Sequence, residues 1–332
     1  MKILIVAPNW IGDALLAQPL FARLRRKHPG VLIDALAPPW TAPVLRRMPE
    51  ITELIDAHFG HGELKLGARW RLGRSLRARA YDQAIVLPNT LKSVLIPFFA
   101  GIPIRTGFVG ELRYGLLNRA HKLDEQALPL MAERYAQLAE EPGSPPARPL
   151  AEVGLRVDEA NLAAALARLE LSRSKPVVAF CPGAEYGPAK RWPARHFAEL
   201  AARLAARGRA IWLFGSGKDA EIGEEIVRLA PGAAINLCGK TDLASAIDLL
   251  SLAEVVVSND SGLMHVAAAV GRPVVALYGS SSPEHTPPLS RAARVVRTGI
   301  DCSPCYAREC PLGHFKCMNE LPPERVLREI SS

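Results

Sequence analysis

This chain of 332 residues has no apolar run approaching the ~20 residues that a membrane-spanning helix needs. No signal-peptide pattern precedes Met1-Lys2-Ile3-Leu4, which already reads as a strand, so a soluble cytoplasmic protein is expected. Coiled-coil periodicity is missing, and no repeat is visible beyond a broad likeness between the two halves. Cysteine is scarce, with six residues, four of them in one short stretch. Acidic residues are thin in one half only. Residues 1–150 carry 20 Lys and Arg against 13 Asp and Glu, whereas residues 151–332 carry 21 against 20. The first half therefore faces something anionic: a phosphorylated substrate, a membrane surface or nucleic acid. Its densest basic run, Lys65 to Arg79, has one Lys, five Arg, no acid and a single aromatic, Trp70. Stacking on nucleic acid would need interleaved aromatics, so a membrane or acidic substrate fits better.

What is present is an alternation of apolar strands and helices. Strands are predicted at Lys2–Ala7, Val31–Leu36, Tyr81–Leu87, Val177–Cys181, Ala210–Phe214, Ala234–Leu237, Glu254–Val257 and Pro273–Leu277. Helices are predicted at Ala14–Arg26, Thr90–Ala100, Asp158–Leu169, Pro193–Ala206, Asp219–Leu229 and Leu243–Leu252. Such alternation specifies an α/β fold with two doubly wound parallel sheets facing a cleft. The Pro-rich segment Glu140 to Leu150 reads as a linker, giving domains 1–150 and 151–332.

Residues 254–285 concentrate the polar chemistry. A strand leads into a turn and a helix from about Asp260 to Val270, and a second strand ends at Gly279-Ser280-Ser281-Ser282. Asp260 sits where an N-cap belongs, while Ser261 and His265 are spaced to share one helix face. A carboxylate, hydroxyls and an imidazole thus gather at the carboxyl edge of a parallel sheet, where α/β proteins bind ligands. Early in the chain, Gly12 and Asp13 follow the first strand. Asp13 either caps the next helix, worth about 1 kcal/mol, or serves a ligand as general base. Between Pro182 and Pro193, two glycines and the adjacent cations Lys190 and Arg191 suit a polyphosphate, or form a surface loop with a Trp anchor.

Three further matches are weaker. Gly215 to Ala220 fits GxGxxG/A, but the following strand ends in Cys238-Gly239-Lys240 instead of an acid, which leaves at most part of a nucleotide pocket. Gly239-Lys240-Thr241 resembles the end of a P-loop, but Ala234 replaces the required glycine. Cys302, Cys305, Cys310 and Cys317, with His314 among them, open with the CxxC of a zinc site and continue with looser spacing. Reduced thiols packing an irregular loop are the expectation there, with no metal.

Taken together, IGD at 11–13, PGAEYGPAKRWP at 182–193, FGSGKDAE at 214–221, CGKTD at 238–242 and SNDSGLMHVAAAVGRPVVALYG at 258–279 closely resemble the ADP-heptose:lipopolysaccharide heptosyltransferases. The tail CSPCYARECPLGHFKC is similar to the heptosyltransferase II branch. The resemblance runs from Met1 to about Glu324. It implies a GT-B fold with the acceptor on the amino-terminal Rossmann-like domain and the nucleotide sugar on the carboxyl-terminal one, whose last helix can pack back on the first. It also implies inverting heptose transfer from ADP-heptose to heptosyl-Kdo2-lipid A, without cofactor or metal, by a protein peripheral to the cytoplasmic face of the anionic inner membrane. No nucleic-acid partner is implied. Carried over by position, Asp13 is the general base, Lys190 contacts the donor phosphate, and Asp260, Ser261, Gly262 and His265 line the donor pocket. Gly12, Gly183, Lys218, Glu221, Lys240 and Thr241 extend it. In the heptosyltransferase I branch, hydroxyl residues stand where this chain has Glu185 and Tyr186. Lys92, Arg105 and Arg113 are candidate contacts to acceptor anions or plain surface charges. The competing expectation is another GT-B transferase or epimerase with a different donor.

Overall fold

The computed structural model describes residues 1–60 and 62–331, and it divides into two units, Met1–Val153 and Gly154–Ser332. In the first unit the strands are β1 (Lys2–Val6), β2 (Leu32–Ala37), β3 (Glu53–Asp56), β4 (Gln83–Val86), β5 (Ile104–Phe108) and β6 (Arg119–His121). Its helices are α1 (Ile11–Leu16), α2 (Gln18–Lys27), α3 (Ala42–Arg46), α4 (Leu66–Leu76), α5 (Leu91–Ala100) and α6 (Met131–Gln137). The second unit contains β7 (Val177–Cys181), β8 (Ala210–Leu213), β9 (Ala234–Asn236), β10 (Ala253–Asn259), β11 (Val274–Leu277) and β12 (Ala293–Val296). Around them are α7 (Glu159–Arg168), α8 (Ala194–Ala205), α9 (Ala220–Leu229), α10 (Leu243–Leu250), α11 (Gly262–Ala269), α12 (Lys316–Asn319) and α13 (Pro323–Ser331).

Both sheets are wholly parallel and share one topology. The orders are β3-β2-β1-β4-β5-β6 and β12-β11-β10-β7-β8-β9, so in each the first strand lies in the middle and the chain winds outward both ways. The strand order therefore reverses between β1 and β4 in one sheet and between β7 and β10 in the other. Strands that helices cover on both faces must be apolar on both faces. Accordingly Ile3, Leu4 and Ile5 in β1 and Val178, Ala179 and Phe180 in β7 are fully buried. Helix α8 buries Phe197, Leu200, Ala201 and Leu204, a 3.6-residue stripe, and Pro193 pre-sets its entry.

Several boundaries differ from the sequence expectation. The single helix expected at 14–26 begins earlier and divides at Ala17, because Pro19 lies in the first turn of α2. The Pro-rich segment at 140–150 is tied to the first unit: Gln137 bonds Ser144, Pro145 and Ala147, and Arg148 pairs with Glu133. The chain passes to the second unit at 153–154. The C-terminal helix contributes to the core of the second unit. Val326 and Leu327 of α13 join Phe180, Trp192 and Met318 in that unit's core.

Helices α4 and α5 approach unusually closely at Gly73, where a β-carbon would lie 2.6 Å from Phe99 Cβ and 2.8 Å from the Ile96 carbonyl. Gly73→Ala is expected to destabilise the first unit by roughly 1–3 kcal/mol through overpacking. Gly67→Ala, whose β-carbon meets only Arg71 at 4.0 Å, should be neutral or slightly stabilising. Thermal unfolding of the two variants distinguishes them.

Candidate functional site

In open α/β sheets, ligands bind beyond the carboxyl ends of the strands at the point where strand order reverses. At the β1/β4 reversal of the first unit lies a cavity of about 240 Å³. Pro8, Asn9, Trp10 and Asp13 line it from the β1 side, Leu87, Pro88 and Asn89 from the end of β4, and Met131, Arg134 and Tyr135 from α6. Asp13 is the third residue of α1, in its first turn, and is not the N-cap; that position belongs to Trp10. The Asp13 charge reaches the buried Tyr135, whose phenol is held well above its ordinary pKa by burial first and by Asp13 second.

Two of the expected acceptor cations have other employment. Arg113 is 1% exposed, and its guanidinium donates to the carbonyls of Pro88, Gly110 and Phe108 and to Asn89 Oδ1. It is therefore a buried organiser of the loops framing the cavity, not a surface cation. Arg105 donates to the carbonyls of Leu116 (2.5 Å) and Ile102 (2.6 Å) and lies over the Phe98 ring. Lys92 is half-buried at the start of α5, and its ammonium has no ion-pair partner among the described residues.

At the β7/β10 reversal the second unit brings several predicted residues together. Lys190 ends a tight turn, Pro188–Lys190, and its Nζ lies 2.5 Å from Asp260 Oδ2. The Ser281 hydroxyl donates to the same oxygen at 2.5 Å. Asp260 is thus an ion-pair partner instead of a helix cap. Ser261 takes the N-cap position of α11, and its side chain makes no capping bond to the first-turn amides. Those amides and the positive end of the helix dipole are left for an anion. Gly262 opens that helix, and His265, one turn in, is 5% exposed.

A residue that the sequence reading passed over fixes this arrangement. Asn259, fully buried at the end of β10, donates through Nδ2 to the Pro182 carbonyl (2.7 Å) and accepts at Oδ1 from the Trp192 amide (3.1 Å). One side chain therefore holds both ends of the loop that carries Lys190. The cysteine-rich segment holds its middle. The Arg308 carbonyl accepts from the Ala189 amide (3.0 Å), and the Tyr186 hydroxyl donates to the Tyr306 carbonyl (2.8 Å). Ser303 donates to the Gly279 carbonyl and the Tyr306 amide to the Ser280 carbonyl, each at 2.6 Å.

The remaining candidates are spread around this edge. Gly183 packs directly against the Asp219 carboxylate. Lys218 pairs with Glu185 at 2.5 Å in a largely exposed contact, worth little by itself. Glu221 is exposed in the first turn of α9, and Thr241 is half-buried. Lys240 lines a second cavity of about 650 Å³ with Gly217, Asn236 and Cys238. Cys302 and Cys305 are exposed and Cys317 is buried. The Cys310 thiol is drawn below its ordinary pKa, chiefly by the Phe315 amide. Among the described residues, no group of three or more His, Cys, Asp or Glu is disposed to hold a metal ion.

Fold and geometry together are those of a two-unit Rossmann-like protein equipped for an anionic ligand. The chain belongs to glycosyltransferase family 9 (heptosyltransferase), whose model matches residues 69–316, and it is a glycosyltransferase. It is 48% identical to lipopolysaccharide heptosyltransferase 2 of Salmonella typhimurium, with 100% of this chain and 98% of that one covered. The Escherichia coli protein of the same name is 46% identical over the same shares. A solved structure of E. coli ADP-heptose LPS heptosyltransferase II superposes with a TM-score of 0.90 at 45% identity, covering 100% of this chain and 98% of that one. The two parallel sheets are those of the GT-B architecture, and a different-donor transferase or epimerase is not favoured.

Burial lowers the pKa of His265 to about 4, with Asp260 opposing the shift and Lys190 adding to it. In the unfolded chain it titrates near 6.5. Between these values the unfolded state binds the extra proton, so the contribution is complete above pH 6.5 and is lost as pH falls toward 4. His265→Asn is expected to flatten the pH dependence of unfolding free energy in that window, by about 3 kcal/mol at full effect. Denaturant unfolding at pH 7.0 and 4.5 checks it; an unchanged slope would contradict a buried neutral imidazole.

Proposed function

We propose that this protein transfers L-glycero-D-manno-heptose from ADP-heptose to the heptosyl-Kdo2-lipid A inner core of lipopolysaccharide, with inversion and without metal or cofactor. The observation that carries the reading is the Lys190–Asp260 pair set beside the uncapped first turn of α11. In the reaction, Asp13 takes the proton of the acceptor hydroxyl as that oxygen bonds to the anomeric carbon. The bond from this carbon to the β-phosphate oxygen breaks, and its electron pair departs with ADP. Charge therefore accumulates on the diphosphate, where a cation and helix amides stabilise it most. Lys190 and the Gly262 end of α11 supply those groups, and neutral His265 lines the donor pocket together with Ser261. The pocket around Asp13 offers a carboxylate within an enclosure part apolar and part polar, which suits a sugar hydroxyl beside a general base.

Asp13→Asn is expected to lower kcat by at least 10²-fold while leaving ADP affinity within about twofold, because the base acts only on the acceptor side. Lys190→Ala should do the reverse in part, weakening ADP as well as turnover. The assay is product formation in EDTA from ADP-heptose and a truncated heptosyl-Kdo2 acceptor. Wild-type protein that is inactive there, or equally active with a UDP-sugar, would overturn the assignment.

The same reading gives the protein a peripheral place on the cytoplasmic face of the inner membrane. Among the described residues no helix is long and apolar enough to cross a membrane. Helix α4 instead exposes Leu66, Trp70, Arg71 and Arg74, with Leu64 exposed just before it. Arg74 lies over the Trp70 ring. Apolar and aromatic residues interleaved with arginines suit the interface of an anionic bilayer. Flotation with phosphatidylglycerol vesicles should recover wild-type protein and lose the Trp70→Ala/Arg71→Glu/Arg74→Glu variant. Equal recovery of both, or equal binding to neutral phosphatidylcholine, would remove this surface from consideration.

A further inference from the structure

The pair that greets the diphosphate carries no net charge. Lys190 is matched by Asp260 at 2.5 Å, yet the group that leaves in the proposed reaction is anionic and gains charge as it departs. A cation without a carboxylate of its own is needed nearby, and the cysteine-rich segment holds one. Arg308 is exposed, and no carboxylate pairs with it among the described residues. Its guanidinium lies over the Tyr186 ring, with Cζ 5.2 Å from the centroid, and Lys190 Nζ is 5.0 Å from the same centroid. The two cations are thus at most about 10 Å apart, a separation that the two phosphoryl groups of a diphosphate can bridge through their outer oxygens.

The backbone of Arg308 cannot drift from this position without the Lys190 turn. Its carbonyl accepts from the Ala189 amide at 3.0 Å. Gly187 packs so tightly over it that a β-carbon there would sit 2.4 Å from the Arg308 oxygen. Tyr186, which carries both cations on its ring, is fixed through its hydroxyl to the Tyr306 carbonyl. Held on an aromatic face, a guanidinium is oriented before the ligand arrives, and its fork of donors matches two phosphate oxygens at once.

We propose that Arg308 is a second diphosphate-binding residue, completing with Lys190 a two-cation clamp on the nucleotide-sugar donor. The proposal rests on the donor reading above. Its consequence is a ligand preference: the clamp acts on the diphosphate and leaves the nucleoside alone. Calorimetric titration of the full-length protein with ADP, AMP and adenosine reads this directly. Arg308→Ala is expected to weaken ADP on the order of ten- to a hundredfold, AMP less, and adenosine by less than about twofold. Arg308→Lys should recover part of the ADP affinity, since charge is kept and the fork is lost. Tyr186→Leu, which removes the supporting ring, should fall between wild type and Arg308→Ala. ADP affinity within twofold of wild type for Arg308→Ala overturns the proposal. So does an equal loss for all three ligands, the mark of a merely structural role. Wild-type protein with no preference for ADP over UDP would instead overturn the donor reading itself.

Discussion

The ion pair between Lys190 and Asp260 joins residues seventy positions apart, and it exists because β7 and β10 are hydrogen-bonded neighbours. Parallel strands deliver their carboxyl ends to one edge, so the loops that follow them must meet there. Asn259 turns that meeting into a fixed geometry by bonding the Pro182 carbonyl and the Trp192 amide together. A buried amide side chain satisfied on both sides is rigid, since breaking either bond would strand a polar group away from water. The cation, the carboxylate and the open turn of α11 inherit their relative positions from this one residue.

The first unit repeats the logic with different chemistry. Its sheet has the same order, and its reversal point gathers Asp13 from the β1 side with Pro88 and Asn89 from the end of β4. Arg113 plays there the part that Asn259 plays in the second unit. Its donors are spent on Pro88, Asn89 and Phe108, holding the loops that follow β4 and β5. A cation used in this way contributes shape and not attraction, because its charge is buried against carbonyl dipoles. The cysteine-rich segment is similarly a structural brace: Ser303 and Tyr306 bond the loop that follows β11, and Arg308 bonds the loop that follows β7.

Most inner strands were legible in the chain because they are largely apolar, as burial on both faces demands. The inner strand β5, which reads Ile-Arg-Thr-Gly-Phe, was not, and of the edge strands only β9 was. The segments that form β3, β6 and β12 are Glu53–Asp56, Arg119–His121 and Ala293–Val296, short and rich in charge, and only pairing with a neighbour makes them strands. The residues of the site show the same division. Lys190, Asp260 and His265 could be picked out because charge and imidazole cluster next to glycine at strand ends. Asp260 was nevertheless expected to cap its own helix, the nearest available use for a carboxylate. The partner that claims it lies in another loop.

By itself, the sequence determined two parallel sheets, the apolar strands at their middles and the carboxyl-edge turns where a ligand would be met. Apolar periodicity and turn chemistry are local, and those features need nothing else. Tertiary structure alone decided which charges remain available. Arg113 was drawn into carbonyls, Asp260 was matched to Lys190, and Arg308 was left beside Tyr186 without a carboxylate partner among the described residues. Whether a charge is spent or free depends on neighbours brought close by folding, and distance along the chain carries no trace of that.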